Sequence, residues 1–465
     1  MKQTKTTRNV SDGQDKSTAK TWKSKAQARS KENIRLRKRL KELEYSRDKW
    51  KEKYFSVPPK RSLSASMNSE TAIGHQYPII FIWLVMQFQS YGSMSLRSSR
   101  HCLCRLFLSL GISSRVPSHS SIRNWLCKSG YYRLKESAAE RGDYVVYVDE
   151  SIVFGSEKIL LVLGVNMAHV AKDRALVHSD MEVLHVEASQ EWKSETIAEI
   201  LSKISITKCI KYAVSDEGRN LCGAYKILNY KHIADCTHIF ANYLKRLYET
   251  DSQFEAFRKL IGQLRKEWNL SKAKSQYMPP GMRGKMRFAN IFPCVDWAEK
   301  QLVNWSNLPQ SVQSSLAFLK ENTVFIDDLI KVREVFKNTC QILKIEGFGV
   351  AQKHKIEVHL ATFQDLDPKS KPYQFIENCK AYLDNLLQKS QALEQVHLLC
   401  SSDIIESFFG KFKAKINPNN RAGLTEFIFT IANFAQPLEK QEVKLALENI
   451  KLKDLKIAYK AKKAA

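Results

Sequence analysis

The sequence predicts a multidomain α/β protein. A mixed sheet carries a large all-helical insertion and is preceded by a helical module and an N-terminal basic coiled coil. Three observations predict this. Between residues 142 and 234, β-branched and apolar runs alternate with amphipathic helical stretches. From 239 to 400 the pattern is helical, basic and broken by Gly/Pro loops. The first 60 residues hold 19 Lys/Arg against 7 Asp/Glu, with apolar residues at four- and three-residue steps.

Bulk composition narrows the function. The 465-residue chain has 74 Lys+Arg against 48 Asp+Glu, a formal net charge of +26. That excess suits nucleic acid or an anionic membrane surface. No apolar run is long enough to span a bilayer, and the stretch 77–88 reads as a buried helix. The N-terminus has no apolar core of a secretory signal. Ten cysteines lie scattered through apolar segments, as small buried hydrophobes of a reducing cytosol rather than a disulfide framework.

Taken in order, residues 1–28 are polar and basic and read as a disordered arm. Residues 29–56 form a helix whose Leu36, Leu40, Leu43, Arg47, Trp50 and Tyr54 trace a coiled-coil seam with one polar interruption; a single solvated helix is the plainer reading. A linker follows at 57–74, where Pro58-Pro59 stops the helix. Residues 75–138 read as a helix-turn-helix-like DNA-binding domain. Helices are expected at 77–90, at 95–110 closing on Gly111, and from Ser118 to Gly130. Ser120, Ser121, Arg123 and Asn124 on the early exposed face of the last helix suit phosphates and base edges; an ordinary helical hairpin is the alternative.

The sheet begins at 142. Strands are expected at 143–149, 158–168, 174–186, 209–215 and 230–234, with a hairpin turn at Gly155. Helices are expected at 194–204 and after Asp216. A three-strand meander followed by helix-strand-helix-strand is an α/β layout. Domain limits follow: 139–238 as first part of the core, 239–398 as the helical insertion, 399–435 as the core's last helix, 436–465 as a basic C-terminal helix.

Three acidic residues stand out. The run Tyr144-Val-Val-Tyr-Val148 delivers Asp149 at a strand end, and Cys209-Ile-Lys-Tyr-Ala-Val-Ser215 delivers Asp216. Glu406 lies on an apolar helix, where burial is costly without a partner or metal. Magnesium prefers carboxylate oxygens and keeps several waters, so few protein ligands suffice. Two such ions, about 3.5–4 Å apart, can hold the attacking and leaving oxygens of a phosphodiester displacement. Each aspartate alone reads equally as a turn residue or helix cap, and Asp403 is the rival to Glu406 as third ligand. Lys411 and Lys413, on the Glu406 helix, offer cations for a DNA backbone. Asp235-Cys-Thr-His238 places a carboxylate and a histidine on one helical turn, a paired structural histidine or a support for the site.

These strings resemble the DDE transposases with an RNase H-like catalytic domain, of the Mutator-like kind found in bacterial insertion sequences. Val148-Asp-Glu150, Val214-Ser-Asp-Glu-Gly218, Asp235-Cys-Thr-His238 and Ser402-Asp-Ile-Ile-Glu-Ser-Phe-Phe-Gly-Lys-Phe-Lys413 carry the resemblance, over roughly residues 95–425. The family often has Asn where Ser402 or Asp403 stands. The resemblance implies that Asp149, Asp216 and Glu406 hold two Mg2+ or Mn2+ ions, with His238 supporting them without ligating. It implies an all-helical insertion between Asp216 and Glu406. Trp297 and Trp305 lie there, suited to core packing or to stacking on a flipped base. It also implies cleavage at transposon ends and transfer of the 3′-hydroxyl into target DNA. The implied partners are double-stranded DNA and a second protomer, at the nucleoid of a bacterial cytoplasm. A structure-specific nuclease without strand transfer and a non-catalytic DNA-binding regulator are the alternative expectations.

Overall fold

The structure is a computed structural model describing residues 12–55, 70–92, 94–112, 115–139, 141–154, 157–171, 173–271, 273–281, 289–416 and 424–464. Residues 57–69 of the linker expected at 57–74 and the turn at Gly155 lie outside these residues. The chain divides into two compact units, residues 1–68 with 102–116, and residues 69–101 with 117–465.

The first unit contains α1, Asp12–Phe55, a 44-residue helix. It starts well before the expected residue 29, so residues 12–28 are helical, not a disordered arm. Alanines and charged residues at these positions favour helix even without a packed face. No described helix is long and apolar enough to cross a membrane.

In the second unit, α2 (Ile79–Tyr91) starts after Pro78 and buries Ile79, Phe81, Ile82, Val85 and Met86. Helix α3 (Leu96–Ser109) passes from one unit into the other, and Gly111 follows it at φ 63°, the left-handed turn expected there. Helix α4 runs His119–Ser137, capped by the Ser118 side chain. Gly130 therefore does not end it. Its role is close approach: a Cβ there would run into the Phe429 backbone carbonyl, so only glycine lets α4 lie on the 3-10 segment Glu426–Phe434. Helices α2 and α4 belong to the same compact unit as the sheet, so 138/139 is not a break between domains.

The sheet has five strands: β1 Gly142–Phe154, β2 Glu157–Asn166, β3 Glu182–Ser189, β4 Lys208–Ser215 and β5 His232–Ala234. Their order is β3-β2-β1-β4-β5. The meander β1–β2–β3 is antiparallel, and β1–β4 and β4–β5 are parallel. Helix α5 (Ser194–Ser205) links β3 to β4, and α6 (Arg219–Ile227) links β4 to β5. Side chains alternate across the sheet. Val146, Val148, Leu160, Val162 and Ala213 pack on α5 and α6. Val145, Tyr147, Leu161, Tyr212 and Val214 join the larger core on the other face.

Two strand expectations shift. β3 starts at Glu182, because Asp180 accepts hydrogen bonds from Arg174 (2.6 and 2.7 Å) and from the Val177 amide (2.8 Å), which coils that stretch into a 3-10 turn. β1 continues past Asp149, which pairs opposite Leu161 inside the β1–β2 hairpin.

After β5, α7 (Cys236–Tyr248) leads into α8 (Ser252–Trp268), α9 (Phe292–Val303), α10 (Gln310–Ser315), α11 (Ala317–Glu321), α12 (Thr323–Ile345), α13 (Val350–Ala361) and α14 (Lys371–Ala392). Among the described residues this region is helical apart from an isolated bridge between Phe348 and Leu398. Trp297 is buried, its indole N–H donating to the Tyr277 carbonyl at 2.8 Å, and the partly buried Trp305 sits 4.5 Å beneath the Lys320 ammonium. Helix α15 (Asp403–Ile416) returns to the sheet, followed by α16 (Lys440–Asn449) and α17 (Leu452–Ala464). Six of the cysteines are buried, whereas Cys102 and Cys209 are exposed.

Candidate active site

The parallel β1–β4 ladder brings the first two acids together. Tyr147 pairs with Val214 at its end. Asp149 follows that pair by two residues within β1 and Asp216 follows it by two, just past the end of β4, and the Asp216 charge acts on Asp149. By strand alternation Asp149 shares its face with Tyr147, the face of the larger core. Strand β4 ends at Ser215, while β1 continues against β2 as far as Phe154. Glu150, of opposite parity, pairs with Lys158 at 3.2 Å and takes no part.

Local hydrogen bonds orient both side chains. The Glu150 amide donates to Asp149 Oδ1 (2.7 Å), and the Gly218 amide donates to Asp216 Oδ1 (3.0 Å). Burial, then the neighbouring Asp216 and to a lesser degree Glu406, push Asp149 up to about 7; the Glu150 amide and His238 act in the opposite direction. A carboxyl held this high by burial, with neighbouring carboxylates adding to the rise, is one that a divalent cation would relieve.

Asp235 anchors the remaining parts. It caps α7, accepting from the His238 amide (2.8 Å), and its Oδ1 lies 3.1 Å from His238 Nδ1. Its other oxygen accepts from the Ser402 amide (2.6 Å) and hydroxyl (3.1 Å). Burial opposes its charge, but the bonds from His238 and Ser402 prevail and hold it below the usual carboxylate range. Three further bonds clamp the same corner. The Cys236 amide donates to the Cys400 carbonyl (2.9 Å), Tyr382 Oη to the Ala234 carbonyl (2.8 Å), and the Leu399 amide to Tyr212 Oη (2.9 Å). The segment ahead of α15 is thereby bolted to the ends of β4 and β5.

This clamp sets Glu406 beside His238. His238 Nε2 stands 3.8 Å from Glu406 Oε1. The Asp235 hydrogen bond raises His238 to about 9 against the opposing effect of burial, with Asp235, Glu406 and Asp216 adding to the rise, so the ring is cationic at neutral pH. Burial raises Glu406 while the His238 cation works against that shift. Asp403 points elsewhere, into an ion pair with Lys344 of α12 at 2.6 Å. Glu406 is exposed, and of the two rivals on this helix it is the one whose charge acts on Asp149.

The residues expected to touch DNA are dispersed. Arg123 is committed to Glu426 and Thr425 Oγ1, both at 3.2 Å. Ser121 bonds back to Ser118, Ser120 is exposed, and Asn124 is partly buried. Lys413 donates to Ser151 Oγ (2.6 Å), and burial lowers Lys411. Sequence reasoning did not foresee that Asp235 would hold the Glu406 helix through Ser402. The Asp-x-x-His string marked Asp235, but nothing local marked its partner.

Among the described residues, no three His, Cys, Asp or Glu side chains stand close enough together to form a ready-made metal cage. The donor set still suits magnesium better than zinc: two neighbouring aspartates and a third carboxylate beside a cationic histidine, with the neutral His232 near Asp216 engaged to Ser215. The chain matches no family model and no curated protein.

Proposed function

We propose that this chain is a DDE-type transposase: a metal-dependent enzyme that cleaves DNA at transposon ends and joins the freed 3′-hydroxyl to target DNA. The observation that carries the reading is that Asp149 and Asp216 each follow the Tyr147–Val214 pair of the parallel β1–β4 ladder by two residues, with the charges of Asp216 and of Glu406, from a distant helix, both acting on Asp149. The strand order β3-β2-β1-β4-β5 and the helical stretch before α15 support an RNase H-like core with an insertion. The +26 charge supports DNA as substrate.

Magnesium, when bound, would supply an activated water and neutralise charge at the leaving oxygen. Asp149 and Asp216 would hold it, with Glu406 as the outer carboxylate. The His238 cation steadies Glu406, and Asp235 fixes the His238 ring through Nδ1. Positioning and charge stabilisation would then provide most of the acceleration.

The test is strand cleavage and plasmid insertion with DNA carrying any inverted repeats found on both sides of the reading frame. Wild-type protein should cut and insert in Mg2+, whereas Asp149→Asn, Asp216→Asn and Glu406→Gln should bind these ends without cutting. Cleavage without insertion would assign the nuclease alternative. DNA binding indifferent to magnesium with no cleavage would establish the regulator alternative.

A further inference from the structure

Helix α1 leaves an apolar seam uncovered. Leu36, Leu40 and Leu43 are 55%, 59% and 60% exposed. Their four-then-three spacing makes Leu36 and Leu43 heptad d positions and Leu40 an a position. The same register puts Asn33 and Arg47 at a. It puts Glu32 and Arg39 at g, and Arg37 and Glu44 at e.

We infer that α1 pairs with α1 of a second copy of this chain as a parallel, in-register, two-stranded coiled coil. Charge complementarity selects this occupant and this direction. In a parallel pair each g residue meets the e residue five positions on in the partner helix. Glu32 then faces Arg37 and Arg39 faces Glu44, and two-fold symmetry repeats both contacts. Asn33 gives a second reason. Parallel pairing sets Asn33 against its own copy, where the two amides bond to each other. Antiparallel pairing sets a against d, leaving Asn33 against leucine with its amide unmatched. A single asparagine at a also favours two strands over three. The seam is short and Arg47 interrupts it, so the association is weak enough to be concentration-dependent.

The experiment is sedimentation equilibrium of the full chain over concentrations on the order of 1–100 μM. Wild-type protein should move from monomer towards dimer, and Leu40→Asp should hold it monomeric. Arg39→Glu and Glu44→Arg each set like charges across the seam. Each swings two contacts from attraction to repulsion and should weaken the dimer about tenfold. Mixing these two variants should restore dimer, because each then meets its complement. All these side chains are exposed, and unchanged circular dichroism at 222 nm checks that the chain still folds. A wild-type monomer throughout, a trimer, unchanged masses for the single reversals, or a mixture that stays monomeric would each overturn the inference. So would dimer formation that appears only when DNA is added, which would make nucleic acid the bridging partner.

Discussion

Replacing Asp149 with asparagine should stabilise the metal-free protein while destroying its proposed chemistry. Asp149 ordinarily titrates near 3.8 and in the fold titrates at about 7, chiefly through burial and the facing Asp216. Its folded-state value is raised, so the favourable protonated state is fully present below 3.8 and is lost as pH climbs through 7. The gap is worth at most about 4 kcal/mol above pH 7. The side chain keeps some solvent access, so screening reduces this to roughly 2 kcal/mol. The assay is urea unfolding in EDTA. Asp149→Asn should unfold at higher urea than wild type at pH 8, by roughly 2 kcal/mol, and at pH 5 the gain should fall below about 1 kcal/mol. Adding Mg2+ should raise wild-type stability and leave the variant unchanged. A variant no more stable than wild type at pH 8, or a gain equal at both pH values, would refute the burial of Asp149 beside Asp216.

Three other outcomes follow from the same geometry. Asp235→Ala removes the α7 cap and both bonds to Ser402, so it should cost about 3 kcal/mol by urea unfolding. It should also drop the His238 pKa towards its ordinary 6.5, read by NMR titration of the ring. Asp403→Asn should retain DNA cleavage, because Asp403 is engaged with Lys344, whereas Glu406→Gln should abolish it. Gly130→Ala drives a methyl into the Phe429 carbonyl and should cost about 1–3 kcal/mol, visible as a lower Tm.

What could be read from the sequence was what is periodic. The meander and its helix-strand-helix-strand continuation follow from runs such as 144–148 and 159–165, whose alternation sorts side chains between two buried faces. The same rule makes Asp149 and Asp216 neighbours once β1 and β4 are parallel. Strand ends were less legible, because hairpin pairing with β2 extends β1 past Asp149 and the Asp180 side chain coils the approach to β3. Gly130 looked like a helix end because left-handed turns and close approach both select glycine, and only the packing of the 3-10 segment separates the two causes. Long-range partners left no local trace. Arg123 looked free for DNA until the fold brought Glu426 to it, and the Ser402 hydroxyl that secures Asp235 lies across the entire helical insertion.

The most direct measurement is a crystal of the protein soaked in MnCl2, with anomalous scattering locating the metal. Density between the Asp149 and Asp216 carboxylates, with Glu406 turned towards it, is the predicted result. Manganese bound elsewhere, or none beside these carboxylates at millimolar concentration, would contradict a shared metal site and the DNA chemistry proposed from it.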